Sequence, residues 1–371
     1  MANKRLKRLS FSDEIKDRLA KRRLTTCQDV LSKSKLELLP LLGLSYSKIN
    51  HIIIKSANAC APSSQSALDL LKKRIENGAF FPTSLRKLDE VILGGIAAGT
   101  ITEVAGPSGC GKTQFCMMLS ALAGLPQELG GLGGSVLYID TESAFSAERL
   151  VEMAQTRHPF LFSSEESLIR LTSNVHVCVE STCGTLLKRL ERLEEDVIAK
   201  NVKLIVLDSI ASLVRKEFDG RNSKNMTERT NLLAKEAAIL KYIAEEFMIP
   251  IVVTNQITTR FGVPKEVKLN NPEDETSSVN LEGEGGYVTA ALGNTWSHCV
   301  NTRFIVQYLD GPRRQILIAK SPVAPFAAFI YRIQSSGLVL EEDSGDGYDG
   351  TDPGLQKIRV RTSINQTAFE Y

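Results

Sequence analysis

The chain lacks the features that mark proteins of oxidising or membrane environments. Its 371 residues hold seven cysteines, with no C-x-x-C pair and no Cys/His array at zinc-site spacing. Neither a disulfide framework nor a structural zinc is expected, and the thiols read as reduced and mostly core. No signal-peptide pattern opens the chain, and no apolar run approaches the roughly 18 residues of a membrane span. The expectation is a soluble nuclear or cytosolic protein with no membrane partner. An excess of one charge is also missing. The net charge is +2, so whole-chain charge forecasts no nucleic-acid partner, and charge has to be read locally. Residues 1–23 carry nine cations (Lys4, Arg5, Lys7, Arg8, Lys16, Arg18, Lys21, Arg22 and Arg23) against three acids. Such a run is a solvated surface, a nucleic-acid contact or a nuclear address.

What is present is enough apolar residue, 43%, for a substantial core. The length fits two domains, or one large domain with a small appendage. Residues 1–61 read as a small helical domain whose centre, G-L-S-x-x-K-I at 43–49, is a glycine turn between two helices. It is an ordinary bundle turn, or a hairpin whose amides meet a phosphate. Residues 62–82 read as a linker, and 83–340 as an α/β domain. There TITEVAG (100–106), SVLYID (135–140), VHVCV (175–179), KLIVLD (203–208) and IPIVVT (249–254) are buried-strand patterns separated by helical stretches. The helical stretch over 226–247 repeats Leu233, Ala237, Leu240, Ala244 and Phe247 on one face. Alternating strands and helices predict a mostly parallel sheet covered on both faces. Strands at 303–309, 314–320 and 326–333 follow without room for helices, with Asp310-Gly311 as a hairpin turn, so the sheet ends in an antiparallel extension. Residues 341–371 read as a disordered tail.

The chemistry begins at GPSGCGKT, 106–113, a G-x-x-x-x-G-K-T loop between a strand and a helix. Gly106, Pro107, Ser108, Gly109, Cys110 and Gly111 form a cradle whose N–H groups converge on phosphate oxygens. Lys112 supplies charge to the β and γ phosphates, and Thr113 gives a hydroxyl to Mg²⁺. This pattern predicts ATP and Mg²⁺ as cofactors. KLIVLDS ends its strand in Asp208, expected at the metal. YIDTES puts Glu142 at a strand end beside the γ-phosphate, where a carboxylate orients and polarises water; its alternative is a plain helix N-terminal acid. VVTNQIT puts Gln256 at another strand end, either to sense the γ-phosphate or as an edge polar residue.

Together and in this order, G-x-x-x-x-G-K-T, Y-I-D-T-E, L-D-S and T-N-Q resemble the RecA-type recombinases, over residues of about 83 to 335. The helical domain in front resembles that of the eukaryotic and archaeal branch. The fold so implied is a RecA-type P-loop ATPase core behind a helix-hairpin-helix-like domain. DTESAFSAERL, VRKEFDG, ALGNTWSH and RRQILIAKSP resemble one subgroup, the B-type paralogues. The resemblance implies a nuclear protein of homologous recombination that binds single-stranded or branched DNA. It implies C-type, D-type and X-ray-repair-type paralogues as partners in a hetero-oligomer. It also implies that Arg149 stacks on adenine, that His298 lies near the γ-phosphate unless it is structural, and that 319–326 caps a neighbour's nucleotide, where Lys320, standing in place of the usual acid, either reaches across or is an exposed strand-end lysine. Two loops would face DNA. The first, about 215–230, offers Arg215, Lys216, Arg221, Lys224 and Arg229, which suit a backbone-tracking groove.

The pattern departs from the family in two places. The second loop, 258–291, carries six acids, including Glu273, Asp274, Glu275, Glu282 and Glu284, where a DNA-facing loop needs cations. The linker has no F-x-x-A segment, the anchor by which recombinases polymerise. Both favour a mediator ATPase in a mixed complex. The alternatives are a self-assembling strand-exchange recombinase, and a non-hydrolysing subunit using ATP as interface glue.

Overall fold

The computed structural model describes residues 4–61, 64–218, 223–260, 287–290 and 292–341. The chain divides into two compact units, Met1–Glu76 and Asn77–Tyr371. The expected tail, beyond residue 341, lies outside the described residues, as does most of the second loop.

The first unit is helical. α1 (Asp13–Lys21), α2 (Cys27–Leu31), α3 (Lys35–Leu42) and α4 (Tyr46–Cys60) enclose Leu19, Leu24, Val30, Leu38, Ile49 and Ile52. Capping boxes start α2 (Thr26 with Asp29) and α3 (Ser34 with Glu37), each satisfying two otherwise orphaned N–H groups. Gly43 ends α3, and the Gly43–Ser45 turn leads into α4, the expected hairpin. The stretch expected to be a linker contains a further helix, α5 (Ala67–Asn77). Ser66 caps it, its hydroxyl accepting from the Asp69 N–H at 3.1 Å. The Leu, Lys and Arg residues that follow are helix formers. The boundary between units falls at its end, within the stretch 62–82.

The second unit opens with a short antiparallel pair, β1 (Phe80–Phe81) and β2 (Ile96–Ala97), around α6 (Arg86–Val91). The main sheet follows in the order of the sequence patterns: β3 (Ile101–Gly106), α7 (Lys112–Ala123), β4 (Ser135–Asp140), α8 (Ala147–Arg157), α9 (Glu165–Ser173) and β5 (Val175–Val179). Next come α10 (Cys183–Glu191), α11 (Leu193–Ala199), β6 (Val202–Asp208), α12 (Ile210–Glu217), α13 (Ser223–Phe247) and β7 (Ile251–Arg260). After β8 (Tyr287–Ala290) and α14 (Gly293–Cys299), four strands run antiparallel: β9 (Thr302–Asp310), β10 (Arg313–Lys320), β11 (Ala328–Gln334) and β12 (Gly337–Leu340). The sheet order is β12-β11-β10-β9-β3-β7-β6-β4-β5, with β8 paired to β7. The chain reverses between β9 and β10 at Gly311, as the Asp-Gly pair predicts.

Central strands feed two cores by strict alternation. Val136 and Tyr138 of β4, and Leu204 and Val206 of β6, enter one core with α7 and α8. Leu137, Ile139, Ile205 and Leu207 enter the other with α10 to α14. Burial on both faces explains why these strands read as unbroken apolar runs.

Candidate nucleotide site

The parallel strands β3, β7, β6 and β4 end together, and their registers bring the site residues into one row. Gly106 lies opposite Gln256, Leu207 opposite Val253, and Asp140 opposite Asp208. Chain reversals at this edge leave N–H groups and side chains without strand partners, which is where α/β sheets bind ligands.

The phosphate loop is tight because its glycines leave no room for side chains. Gly109 and Gly111 adopt φ of +78° and +96°. A Cβ at Gly109 would come within 2.3 Å of the Tyr308 hydroxyl, and one at Gly111 within 2.7 Å of Ile333 Cδ1. The antiparallel extension thus braces the loop from behind. Tyr308 and Tyr331 donate their hydroxyls to the Ser108 and Cys110 carbonyls at 3.2 and 2.5 Å. Arg314 lies over the Tyr308 ring and donates to the Gly109 carbonyl at 3.3 Å. Sequence reading missed these braces, which stand some 200 residues from the loop they hold and carry no local signal.

Lys112 is the first residue of α7. Its ammonium donates to the Gly106 and Pro107 carbonyls at 3.0 and 2.9 Å. Burial lowers its pKa, while Asp208, Cys110 and Glu142 pull the other way. Asp208 is buried, and its two oxygens accept from the hydroxyls of Tyr138 (2.7 Å) and Thr254 (2.5 Å). Its carboxylate is therefore fixed in place beside Lys112. Among the described residues no cluster of three His, Cys, Asp or Glu side chains could hold a metal by itself. A hydroxyl from Thr113 and one carboxylate from Asp208 instead match Mg²⁺, which keeps waters and takes its remaining ligands from phosphates.

Glu142 stands just past β4 on a turn organised by Asp140. The buried Asp140 carboxylate accepts from the Glu142 and Phe145 N–H groups, each at 2.9 Å. Glu142 Oε1 then accepts from the Ser209 hydroxyl (2.6 Å) and from Gln256 Nε2 (2.9 Å). Gln256 Oε1 in turn accepts from Arg215 Nη1 at 2.7 Å. The structure so joins the expected water-orienting carboxylate to the expected sensor.

Other expected residues are placed less simply. Arg149 is tied by its guanidinium to Gln114 of α7, to Glu152, and to the Ser335 and Gln334 carbonyls. His298 is exposed on the last turn of α14, with no hydrogen bond or ion pair among the described residues. Lys320 donates to the Ser297 and Val300 carbonyls at 2.8 and 2.6 Å, and so caps α14 of its own chain. The first loop is narrower than expected. Arg215 and Lys216 belong to the last turn of α12, and Lys224 and Arg229 to α13, because both helices extend further than their apolar periodicity shows. Arg221 lies outside the described residues.

Comparison with known proteins agrees with this geometry. The Rad51 family model matches residues 79–341, and an XRCC3/RpoA-like helix-hairpin-helix domain model matches residues 6–60. The chain is 52% identical to DNA repair protein RAD51 homolog 2 of Homo sapiens over 92% of this chain and 90% of that one. It is 34% identical to the protein of the same name in Arabidopsis thaliana over 100% and 99%. It is also 34% identical to the Arabidopsis DNA repair protein XRCC3 homolog over 65% and 80%. With a strand-end phosphate site of this form and these relatives, the chain belongs to the Rad51 family, as a RecA-type recombination-repair paralogue.

Proposed function

We propose that this chain binds ATP with Mg²⁺ at its phosphate loop and hydrolyses it slowly, stimulated by DNA. We propose further that it serves in the nucleus as a DNA-binding subunit of a heteromeric complex with C-type, D-type and X-ray-repair-type paralogues. The observation that carries the reading is the convergence of Lys112, Asp208, Glu142 and Gln256 on one sheet edge within a single chain. In this reading Lys112 neutralises the β and γ phosphates, and the loop N–H groups hold their oxygens. Thr113 and Asp208 hold the Mg²⁺, which supplies further charge neutralisation when bound. Glu142 orients and polarises the attacking water, and Gln256 registers whether the γ-phosphate is present.

The test is nucleotide binding by calorimetry together with phosphate release, with and without single-stranded DNA. Lys112→Ala is expected to weaken ATP binding by roughly 10- to 100-fold, the scale of a lost charge-assisted contact. Glu142→Gln is expected to bind ATP normally and turn over slowly, because only water activation is removed. Parent-rate turnover by Glu142→Gln would take Glu142 out of the mechanism. Absence of turnover by the parent, alone and with paralogue partners, would favour the glue reading.

A further inference from the structure

The phosphate loop lies along a row of side chains that crosses three strands of the antiparallel extension. In the strand register Tyr308 of β9 stands opposite Arg314 of β10, and Arg314 stands opposite Tyr331 of β11. The three residues therefore sit abreast on one face, at the strand spacing of about 4.8 Å. The loop crosses them in the same order. The Ser108 carbonyl accepts from the Tyr308 hydroxyl at 3.2 Å, the Gly109 carbonyl from Arg314 Nε at 3.3 Å, and the Cys110 carbonyl from the Tyr331 hydroxyl at 2.5 Å. One residue of each strand thus holds one of three consecutive loop carbonyls. The Tyr308 ring supports the Arg314 guanidinium, which lies 5.4 Å from its centroid. Tyr331 is fully buried, and burial raises its pKa, so its hydroxyl keeps its proton and stays a donor.

We propose that Tyr308, Arg314 and Tyr331 are positioning residues for the nucleotide, a template that aims the N–H groups of the loop at its phosphates. This rests on the reading above that ATP binds at the phosphate loop. The physical reason is the planarity of the peptide. In a trans peptide the C=O of one residue and the N–H of the next point in opposite directions. Drawing the carbonyls of Ser108, Gly109 and Cys110 onto the row turns the N–H groups of Gly109, Cys110 and Gly111 to the other side of the loop. Those are the donors that an anion cradle needs converged. A glycine-rich loop left to itself would have to be ordered when the phosphates arrive. Here the sheet orders it on folding, so that cost is removed from binding. Lys112 holds the Gly106 and Pro107 carbonyls, so every loop carbonyl from 106 to 110 accepts from a side chain. Of these donors, Lys112 is the one the phosphates recruit. The three donors of the row keep their carbonyls throughout, and they favour bound substrate and transition state alike.

The test uses the full chain. Calorimetry gives the Kd for ADP and for a non-hydrolysable ATP analogue, phosphate release gives kcat and KM, and urea unfolding gives stability. Hydrogen exchange is followed at the loop amides. Tyr331→Phe keeps the ring in the core, deletes the donor and leaves the Cys110 carbonyl unpaired. The Kd for both nucleotides is expected to rise about 5- to 10-fold, the scale of one buried hydrogen bond. Tyr308 is only half-buried, and water can take the place of its hydroxyl. Tyr308→Phe should therefore raise Kd about 2- to 3-fold. Arg314→Lys keeps the charge and loses the Nε donor, and its effect should be the smallest, about twofold or less. In each variant KM should rise while kcat stays within about twofold of the parent, the signature of lost uniform binding. Exchange at Gly109, Cys110 and Gly111 should quicken in the same order.

A merely structural role gives a different pattern. Tyr331→Phe would then lower the urea midpoint, while the folded variant, well below its unfolding transition, binds both nucleotides with the parent Kd. That result overturns the inference and leaves the ATP reading intact. A fall in kcat with KM unchanged overturns it too, since the row would then act on the chemical step. If Tyr331→Phe does not fold, Tyr308→Phe decides: a parent Kd with parent exchange at the loop amides sinks the template. Absence of nucleotide binding by the parent itself removes the ATP reading and the inference together.

Discussion

Buried carboxylates on the sheet strands and on α13 follow opposite rules. On the strands, three are bonded. Asp208 is held by two hydroxyls and Asp140 by two backbone N–H groups. Glu103, fully buried in β3, pairs with Arg303 and accepts from Trp296 (2.8 Å) and Asn255 (2.6 Å). On the helix, Glu236 of α13 is equally buried, yet among the described residues neither oxygen has a partner. Burial and the nearby Glu217 carboxylate push its pKa up to about 8. The same surroundings push the Cys183 thiol to about 12. The contrast separates two uses of buried polarity. The bonded set fixes charge and geometry along the central strands. The unbonded carboxyl, its pKa raised by burial and by Glu217, makes α13 sensitive to pH.

The largest effect that can break this comparison is at Glu103. Glu103→Ala leaves the Arg303 guanidinium, only 14% exposed, without its anion. It also frees the Trp296 and Asn255 donors. Removing one partner of a buried pair costs about 3–5 kcal/mol, which denaturant unfolding will register as a large fall in midpoint. A loss below about 1 kcal/mol, the scale of an exposed pair, would mean that the strand carboxylates are not the rigid set described.

Glu236 gives a smaller effect with a definite sign. Its folded pKa is raised above the ordinary carboxylate value of 4.5. The neutral, buried form is therefore fully accommodated below pH 4.5. Stability is lost as pH rises from there through about 8, because ionisation must occur without a partner. The slope is at most about 1.4 kcal/mol per pH unit. Glu236→Gln cannot ionise and should lack this slope. Urea midpoints of parent and variant should coincide near pH 5 and diverge by pH 8, with the variant higher. Parallel curves across that range would mean that Glu236 is solvated or paired, and the contrast between strands and helix would vanish.

Much of this was legible in the sequence, and the limits are instructive. Strands buried on both faces announce themselves as apolar runs. Strand ends bearing Asp208, Glu142 and Gln256 can be aligned because parallel strands of a sheet begin and end together. The resemblance to RecA-type recombinases reached the family through the same residues. What failed was local ambiguity and distance. Residues 67–77 read as linker because Ser-rich flanks mask a short helix. Arg215 and Lys216 read as loop because a polar final helical turn has no apolar marker. Asn255 read as part of a motif, while its amide in fact serves the buried Glu103. Tyr308, Tyr331 and Glu236 gave no signal, since a brace or an unpaired buried acid is defined only by what folds against it.

The smallest effect sharpens the comparison at the edge of the bonded set. Lys320 was expected either to reach a neighbour's nucleotide or to be an exposed strand-end lysine, and within the chain its ammonium closes the C-terminal end of α14 through the Ser297 and Val300 carbonyls. A cation there satisfies orphan carbonyls and opposes the negative end of the helix dipole. Lys320→Met keeps most of the apolar stem and removes the donors. It should cost about 1 kcal/mol and speed amide exchange in α14, which carries Trp296 onto Glu103. Both effects should appear in the isolated chain and be no larger in a complex with partner paralogues. If the isolated variant is as stable as the parent while the ATPase of the complex falls, the lysine works across an interface. Its bonds to α14 would then be a resting position, and the bonded set would end at Glu103.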